Sequence, residues 1–182
     1  PRWFAHGDRE ARDYYSFRRA DWHADVAIEV EAVRERVGVM DISAFTKIEV
    51  RGRNAEAFVS RMIANRAPAT PGGLVLTHLL NAMGRIELEA TVGRTHQESF
   101  YFVCAAFFET RLIDWLSRHL DPDEGVSVVN LSSSHGALAL QGPMARRVLS
   151  QVTSCPLDNE GFRWLSMKDI DVAGCPVRAI RV

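Results

Sequence analysis

The stretch LVLTHLLNAMGRIELEATV, residues 74–92, decides the class of fold. Its first seven residues are typical of an apolar strand, and Asn81-Ala-Met-Gly84 has the composition of a tight turn. From Arg85 to Val92 apolar and polar residues alternate, as expected for a strand with one buried face. The stretch therefore predicts two antiparallel strands joined by a short turn.

Two acidic residues lie on the polar face of the second strand. Glu87 and Glu89 are two positions apart, so their side chains point to the same side of the sheet. If that side is solvent, both are ordinary surface residues. If it lines a cavity, Glu89 could hydrogen-bond a heterocyclic amine and transfer its proton. The alternation by itself does not choose between these interpretations.

The flanking sequence predicts further strands and several helices. Valines recur at helical spacing from Asp25 to a stop at Gly38, with Val26, Val30, Val33 and Val37 on one face. A second helix follows the N-cap candidate Asn54, with Ala57, Phe58 and Met62 on one face. A third helix runs from Phe107 to Leu120, and one of about ten residues follows Gly142-Pro143. The other predicted strands are residues 46–51, 100–104, 126–130, 137–141, 168–172 and 176–182.

Helices and strands alternate irregularly, and hairpin-length turns outnumber long crossovers. This order predicts an α+β fold with a largely antiparallel sheet and flanking helices. Residues 25–182 form the predicted domain. Because the last strand runs to Val182 without a polar tail, we expect a domain truncated at its C-terminus.

Residues 1–24 are irregular and rich in aromatic and arginine side chains. Such interleaving can form a stacking surface for nucleic acid. The acids Asp8, Glu10, Asp13, Asp21 and Asp25 balance the arginines, so a connector lying on another surface is the better interpretation.

Composition excludes several classes of protein. Hydrophobic residues make up 47% and charged residues 25%, which is typical of a globular chain. The 22 Lys plus Arg and 23 Asp plus Glu leave a net charge of −1, which argues against a nucleic-acid partner. No apolar run approaches the roughly 20 residues that span a membrane, and no secretory signal is visible.

The cysteines and histidines predict neither disulfides nor a metal site. Cys104, Cys155 and Cys175 are odd in number and form no CxxC motif, so we expect buried, inert thiols in a reducing compartment, the cytoplasm or a mitochondrial matrix. The six histidines lack metal-ligand spacing. Ser134 and His135 are adjacent, and adjacent side chains of an extended chain diverge; a turn is the preferred interpretation. GxGxxG, GxxxxGK[ST] and GxSxG motifs are absent.

Four segments resemble, in order and spacing, the folate-binding domain of the glycine cleavage T-protein (aminomethyltransferase) superfamily. They are residues 32–43, 50–58, 80–86 and 140–143. The leader, Pro1 to Ala5 followed by Tyr15-Ser-Phe17, is similar to the junction that precedes this domain in dimethylglycine and sarcosine dehydrogenases. The resemblance covers nearly the whole chain.

The resemblance implies a fold, a reaction and a set of site residues. An upstream flavin domain of the same polypeptide, carrying FAD, would oxidise an N-methyl amine to an iminium. Tetrahydrofolate bound to this domain would then capture the one-carbon unit as 5,10-methylenetetrahydrofolate. Glu89 is the implied catalytic residue, no metal is implied, and the isolated chain is expected to be inactive. The implied folate-binding residues are Leu76, Glu89, Thr91, Val103 and Cys104.

Four departures from the family pattern leave other functions open. The family has Asp at the position of Glu89, Tyr at Leu76, an aromatic residue at Gly93 and Asn near Cys104. A second interpretation is therefore a non-catalytic T-protein-like module that serves as a scaffold or docking surface. A third is another folate reaction, such as demethylation of a sulfur compound or aminomethyl transfer from a lipoyl carrier.

Overall fold

The computed structural model of the chain describes residues 3–5, 7–8 and 10–182. Pro1, Arg2, His6 and Arg9 of the predicted connector lie outside the described residues. The helices are α1 His23–Glu35, α2 Ala55–Met62, α3 Glu109–Arg118 and α4 Ala145–Leu149. The strands are β1 Gly38–Asp41, β2 Thr46–Gly52, β3 Leu74–Leu80, β4 Ile86–His96, β5 Ser99–Cys104, β6 Val126–Asn130, β7 Leu138–Gln141, β8 Ser166–Val172 and β9 Cys175–Arg181.

A five-stranded sheet organises the fold, in the order β3-β4-β5-β2-β6. Every neighbouring pair in it is antiparallel, and so are the two separate pairs β1–β7 and β8–β9. The predicted α+β class with antiparallel sheets and flanking helices is confirmed. The predicted hairpin is β3–β4, closed by the turn at Asn81 to Gly84.

One face of the sheet carries the hydrophobic core. We call it the inner face, because α2 and α3 pack against it. Alternation along each strand brings its apolar side chains to this side, and removing them from water contributes about 25 cal/mol per Å² of apolar surface. Phe58 and Val59 of α2 and Leu112 and Leu116 of α3 complete the core. The inner-face residues of the sheet include Ile48, Val50, Leu79, Leu88, Ala90, Val92, Phe100 and Phe102.

The opposite side, which we call the outer face, is partly covered by the β8–β9 hairpin. Met167 of β8 packs over Gly93, where an added Cβ would lie 2.5 Å from the Met167 sulfur. The guanidinium of Arg178 in β9 lies 4.9 Å from the ring centroid of Tyr101. The hairpin turns at Ala173 and Gly174, whose positive φ angles of 52° and 84° suit a two-residue turn. Beyond the hairpin, Leu76 and Glu89 are exposed on this face.

The segment after α2 lies along the free edge of β3. The backbone N–H of Ala64 donates to the carbonyl of His78 at 2.9 Å. The side chain of Asn65 donates to the carbonyl of Leu76 at 3.3 Å, and its backbone N–H donates to the Thr77 hydroxyl at 3.1 Å. This segment therefore takes up backbone acceptors that an edge strand would otherwise leave open.

The valine stripe predicted for the first helix is only partly covered. α1 begins two residues before the predicted start. Val26 and Val33 are half-buried, but Val30 is exposed. The cause is the location of α1, which packs mainly beside β1 rather than against the five-stranded sheet.

The second predicted helix is present, and two of the three residues predicted for its buried face, Phe58 and Met62, are buried. Ala57 is exposed, whereas Ala55 and Val59 are buried. Asn54 precedes the helix as predicted, but it makes no side-chain cap bond; its amide donates to the Glu124 carbonyl at 2.7 Å.

Three smaller expectations also need correction. α4 has five residues rather than about ten, and none of them is buried, so little tertiary packing supports a longer helix. Ile86 is exposed because a register shift between Leu79 and Leu80 places it at the turn end of the sheet. All three thiols are free, but only Cys104 is buried; Cys155 is half-buried and Cys175 exposed.

Candidate functional site on the outer face

Four of the predicted site residues lie together on the outer face. In the strand register, Leu76 of β3 is opposite Thr91 of β4, and Thr91 is opposite Val103 of β5. Glu89 lies two residues from Thr91 on the same side. We call Leu76, Glu89, Thr91 and Val103 the outer-face cluster. Its members meet because they occupy alternate positions on three neighbouring strands.

The fifth predicted residue, Cys104, lies on the other side of the sheet. It follows Val103, so its side chain points to the inner face, where it belongs to the hydrophobic core. Burial raises the pKa of the thiol. The sheet therefore separates Cys104 from the outer-face cluster, and a ligand bound there would not reach it.

The two acidic residues of β4 have different surroundings. The Glu87 carboxylate has two partners: it accepts a hydrogen bond from the Asn81 amide at 2.9 Å and forms an ion pair with Arg111 of α3. Its side chain is only 10% exposed, whereas that of Glu89 is 59% exposed. Glu89 is therefore the acid that a ligand on this face can meet.

The cluster forms an open surface, not an enclosed cavity. Leu76 is 53% exposed, and the Glu89 carboxylate points to solvent. Two shallow concavities lie elsewhere: one is lined by Arg51 and Ser127, the other by Arg61 and Glu124. The outer-face cluster therefore supplies one wall for a ligand.

Sequence reasoning missed His78. It lies directly opposite Glu89 in the β3–β4 register, and its Nε2 is 3.3 Å from Oε2 of Glu89. The turn alone does not give this pairing: a ladder counted outward from residues 81–84 places position 78 opposite position 87. The irregular register at the turn end of the ladder, with its shift between Leu79 and Leu80, is what brings His78 opposite Glu89. The neighbouring positions carry an imidazole and a carboxylate, a pair suited to holding and moving protons.

The residues at the two ends of the outer-face cluster are buried. Lys47 of β2, opposite Val103, is buried, and its ammonium donates to the carbonyls of Ser43 at 2.9 Å and Phe45 at 2.6 Å. Towards the other end, burial under the hairpin raises the pKa of Tyr101. The accessible polar groups on this side are therefore centred on Glu89, His78 and Thr91.

Ser134 and His135 belong to a turn, as predicted, and their side chains are in contact. Ser134 Oγ lies 2.8 Å from His135 Nδ1, because the two residues lie in a turn and not on an extended strand. The hydroxyl also donates to the Leu131 carbonyl at 3.0 Å. In the part of the chain that the structure describes, no carboxylate contacts His135, so the pair has the features of a local turn bond.

Neither a metal cluster nor a membrane-spanning helix is found in the described residues. No group of three or more His, Cys, Asp or Glu side chains there is arranged to hold a metal ion. None of the helices there has the length and apolarity needed to cross a membrane.

A comparison with known protein families identifies the family to which this chain belongs. The model of the GCVT N-terminal domain matches residues 1–182. The chain belongs to this family.

Similar proteins include complete enzymes much longer than this chain. Mouse mitochondrial dimethylglycine dehydrogenase is 31% identical over 183 residues, covering 100% of this chain and 21% of that protein. Aminomethyltransferase of Chloroherpeton thalassium is 32% identical over 80% of this chain and 40% of its own length. The mouse mitochondrial pyruvate dehydrogenase phosphatase regulatory subunit is 30% identical over 86% of this chain and 18% of its own. The chain thus spans about a fifth of the dimethylglycine dehydrogenase that it matches.

Solved structures share the fold. Aminomethyltransferase T of the glycine cleavage system from Bartonella henselae superposes with a TM-score of 0.69 at 25% identity, over 80% of this chain and 39% of that one. A chain of heterotetrameric sarcosine oxidase from Corynebacterium superposes with a TM-score of 0.65 at 21% identity, over 91% of this chain and 82% of that one.

Proposed function

We propose that this chain is the first part of a tetrahydrofolate-dependent one-carbon-transfer module, with Glu89 as its acid–base group. The observation that carries the proposal is the exposed carboxylate of Glu89 at the centre of the open face of a GCVT N-terminal domain. The similarity to dimethylglycine dehydrogenase along the whole chain supports a parent polypeptide with an upstream flavin domain. That domain would carry FAD and oxidise an N-methylated amine.

The chemistry of the outer-face cluster fits a pterin on one side. Leu76 and Val103 offer apolar surface to a flat ring, and the Thr91 hydroxyl can donate or accept a hydrogen bond. The Glu89 carboxylate can accept hydrogen bonds from N–H groups, and a reduced pterin presents such donors. The opposite side of the ring would be covered by protein outside these residues, which is why we expect the isolated chain to be inactive.

Glu89 would act as the proton carrier. When bound, tetrahydrofolate supplies two nitrogen atoms that take up a one-carbon unit between them. Capture of an iminium ion would replace the C=N double bond to the amine by two C–N bonds to the folate, and the two N–H protons of the folate would pass to the released amine, which leaves as its ammonium ion. Glu89 would carry these protons one at a time from the folate nitrogens to the departing amine, a role that typically contributes about 10²- to 10⁴-fold in rate.

A second candidate is a non-catalytic scaffold. It is favoured by the similarity to a protein whose name describes a regulatory subunit. The apolar Leu76, the occupation of the space over Gly93 by Met167, and the inward direction of Cys104 also reduce the polar contacts available to a ligand. In this alternative the open face would bind a neighbouring domain and carry out no reaction.

The two candidates differ in folate binding and turnover by the whole protein, flavin domain included. We expect calorimetry to detect tetrahydrofolate binding, and amine oxidation to yield methylenetetrahydrofolate. Glu89→Gln should lower that yield about 100-fold, since the amide cannot take the proton. Glu98→Gln, at an exposed position in the β4–β5 turn, is the matched control and should behave as wild type.

Absence of binding at near-millimolar tetrahydrofolate would exclude the folate proposal and favour the scaffold. If Glu89→Gln leaves folate turnover unchanged, the proposed reaction stands, but Glu89 is not its acid–base group.

A further inference from the structure

Glu89 is exposed, yet its proposed role requires a fixed carboxylate. A glutamate has three side-chain torsions, and restricting an exposed one costs up to about 2 kcal/mol in conformational entropy. A displacement of about 1 Å at a reacting centre can reduce the rate about 100-fold. A neighbouring group that limits the positions of this carboxylate would therefore matter for the reaction.

His78 is placed to do this by the backbone. It is the direct cross-strand partner of Glu89, and opposed side chains on one face of an antiparallel pair lie within contact distance. The turn that joins the strands is itself fixed, since the Asn81 side chain accepts hydrogen bonds from the N–H groups of Met83 and Arg85, each at 3.0 Å. The 3.3 Å approach of His78 Nε2 to Glu89 Oε2 thus rests on a closed hairpin.

Nothing else in the described residues competes for the Glu89 carboxylate. Its neighbours Leu76 and Thr91 are uncharged, and Glu87 is engaged by Asn81 and Arg111. The His78 ring likewise has no other charged or hydrogen-bonded partner among the residues that the structure describes. The contact involves Oε2, which leaves Oε1 free for a ligand.

We propose that His78 is a positioning residue that holds the Glu89 carboxylate for proton transfer to and from the folate; this inference rests on the proposed function above. His78 acts through Glu89 and does not itself contact the one-carbon unit. Its Nε2 selects the side-chain conformation in which one carboxylate oxygen faces the ligand.

The test compares two replacements of His78 in the whole protein. His78→Leu removes the ring nitrogens, whereas His78→Gln retains an N–H donor at a similar reach. We expect His78→Leu to lower kcat for methylenetetrahydrofolate formation about tenfold, with the KM for tetrahydrofolate changing less than threefold. His78→Gln should restore kcat to within about threefold of wild type. His96→Leu, at an exposed histidine at the far end of β4, is the control and should leave both constants unchanged.

A double substitution tests whether His78 acts through Glu89. In the Glu89→Gln background, His78→Leu should cause less than a twofold further loss, since residues that act as a unit are not additive. A full tenfold further loss, or a His78→Leu single variant equal to wild type, would overturn the inference while folate turnover by the wild type still stands. A wild type that binds no tetrahydrofolate would overturn the proposed function and this inference together.

Discussion

The two faces of the five-stranded sheet follow the same alternation but serve different ends. On the inner face, apolar side chains meet two amphipathic helices and are removed from water. On the outer face, the same strands present an acid, an imidazole, a hydroxyl and two apolar side chains, and a hairpin covers one end of this face. The difference separates residues that hold the fold together from residues that are available for binding.

The largest expected effect tests this separation with one residue from each face. Phe102→Ala removes a fully buried ring from the inner face and should lower the free energy of unfolding by about 3–5 kcal/mol. Leu76→Ala on the outer face should change it by no more than about 0.5 kcal/mol, because that side chain is half exposed already. Denaturant unfolding monitored by circular dichroism measures both. Equal losses would mean that the outer face is covered in the folded protein.

An intermediate effect is expected where the hairpin meets the outer face. Gly93→Val places a Cβ 2.5 Å from the Met167 sulfur and 3.0 Å from Leu74, and overpacking of this kind typically costs about 1–3 kcal/mol. The backbone at Gly93 needs no positive φ, so the cost comes from the contact. The same unfolding measurement applies.

Shortening Met167 tests whether contact with this side chain causes the loss of stability in Gly93→Val. Met167→Ala makes room beside position 93, so the double variant Gly93→Val, Met167→Ala should lose less stability than the sum of the two single losses. Additive losses would show that Met167 is not what limits the space over Gly93.

The smallest expected effect concerns the ion pair between α2 and the loop before β6, where Arg61 donates two hydrogen bonds of 2.9 Å to Glu124. These bonds lower the pKa of Glu124 below its ordinary value. A carboxyl whose pKa is lowered by folding stabilises the protein above its unfolded pKa, and this contribution is lost as the pH falls through the folded pKa. The thermal midpoints of wild type and Glu124→Gln should therefore differ at pH 7 and converge in acid. A difference independent of pH would assign it to something other than the ionised carboxylate.

The sequence was sufficient to predict the parts of the fold that rest on alternation. In β4, Leu88 and Ala90 are buried and Glu89 is exposed, as the period of two requires. The same period could have placed Cys104 on the inner face, since it follows Val103 directly. The pairing of His78 with Glu89 could not be predicted in this way, because the turn alone pairs position 78 with position 87, and the irregular register at the turn end of the ladder, with its shift between Leu79 and Leu80, moves the pairing to position 89.

Other features depend on contacts between distant parts of the chain. The Arg111 side chain that engages Glu87 comes from α3, so two acids with the same local pattern acquire different exposures. The register shift that exposes Ile86 is a local irregularity of the β3–β4 ladder, and strict alternation of apolar and polar residues does not predict it. The partial exposure of α1 depends on what packs beside it, and helical periodicity specifies only which side is apolar.

The backbone groups along the edge of β3 determine how a partner can approach. With the carbonyls of His78 and Leu76 already bonded to residues 64 and 65, an added strand finds few vacant acceptors at this border. Sheet extension through β3, the usual route to intermolecular aggregation, is therefore disfavoured. A neighbouring domain would instead have to approach along the sheet normal and contact side chains.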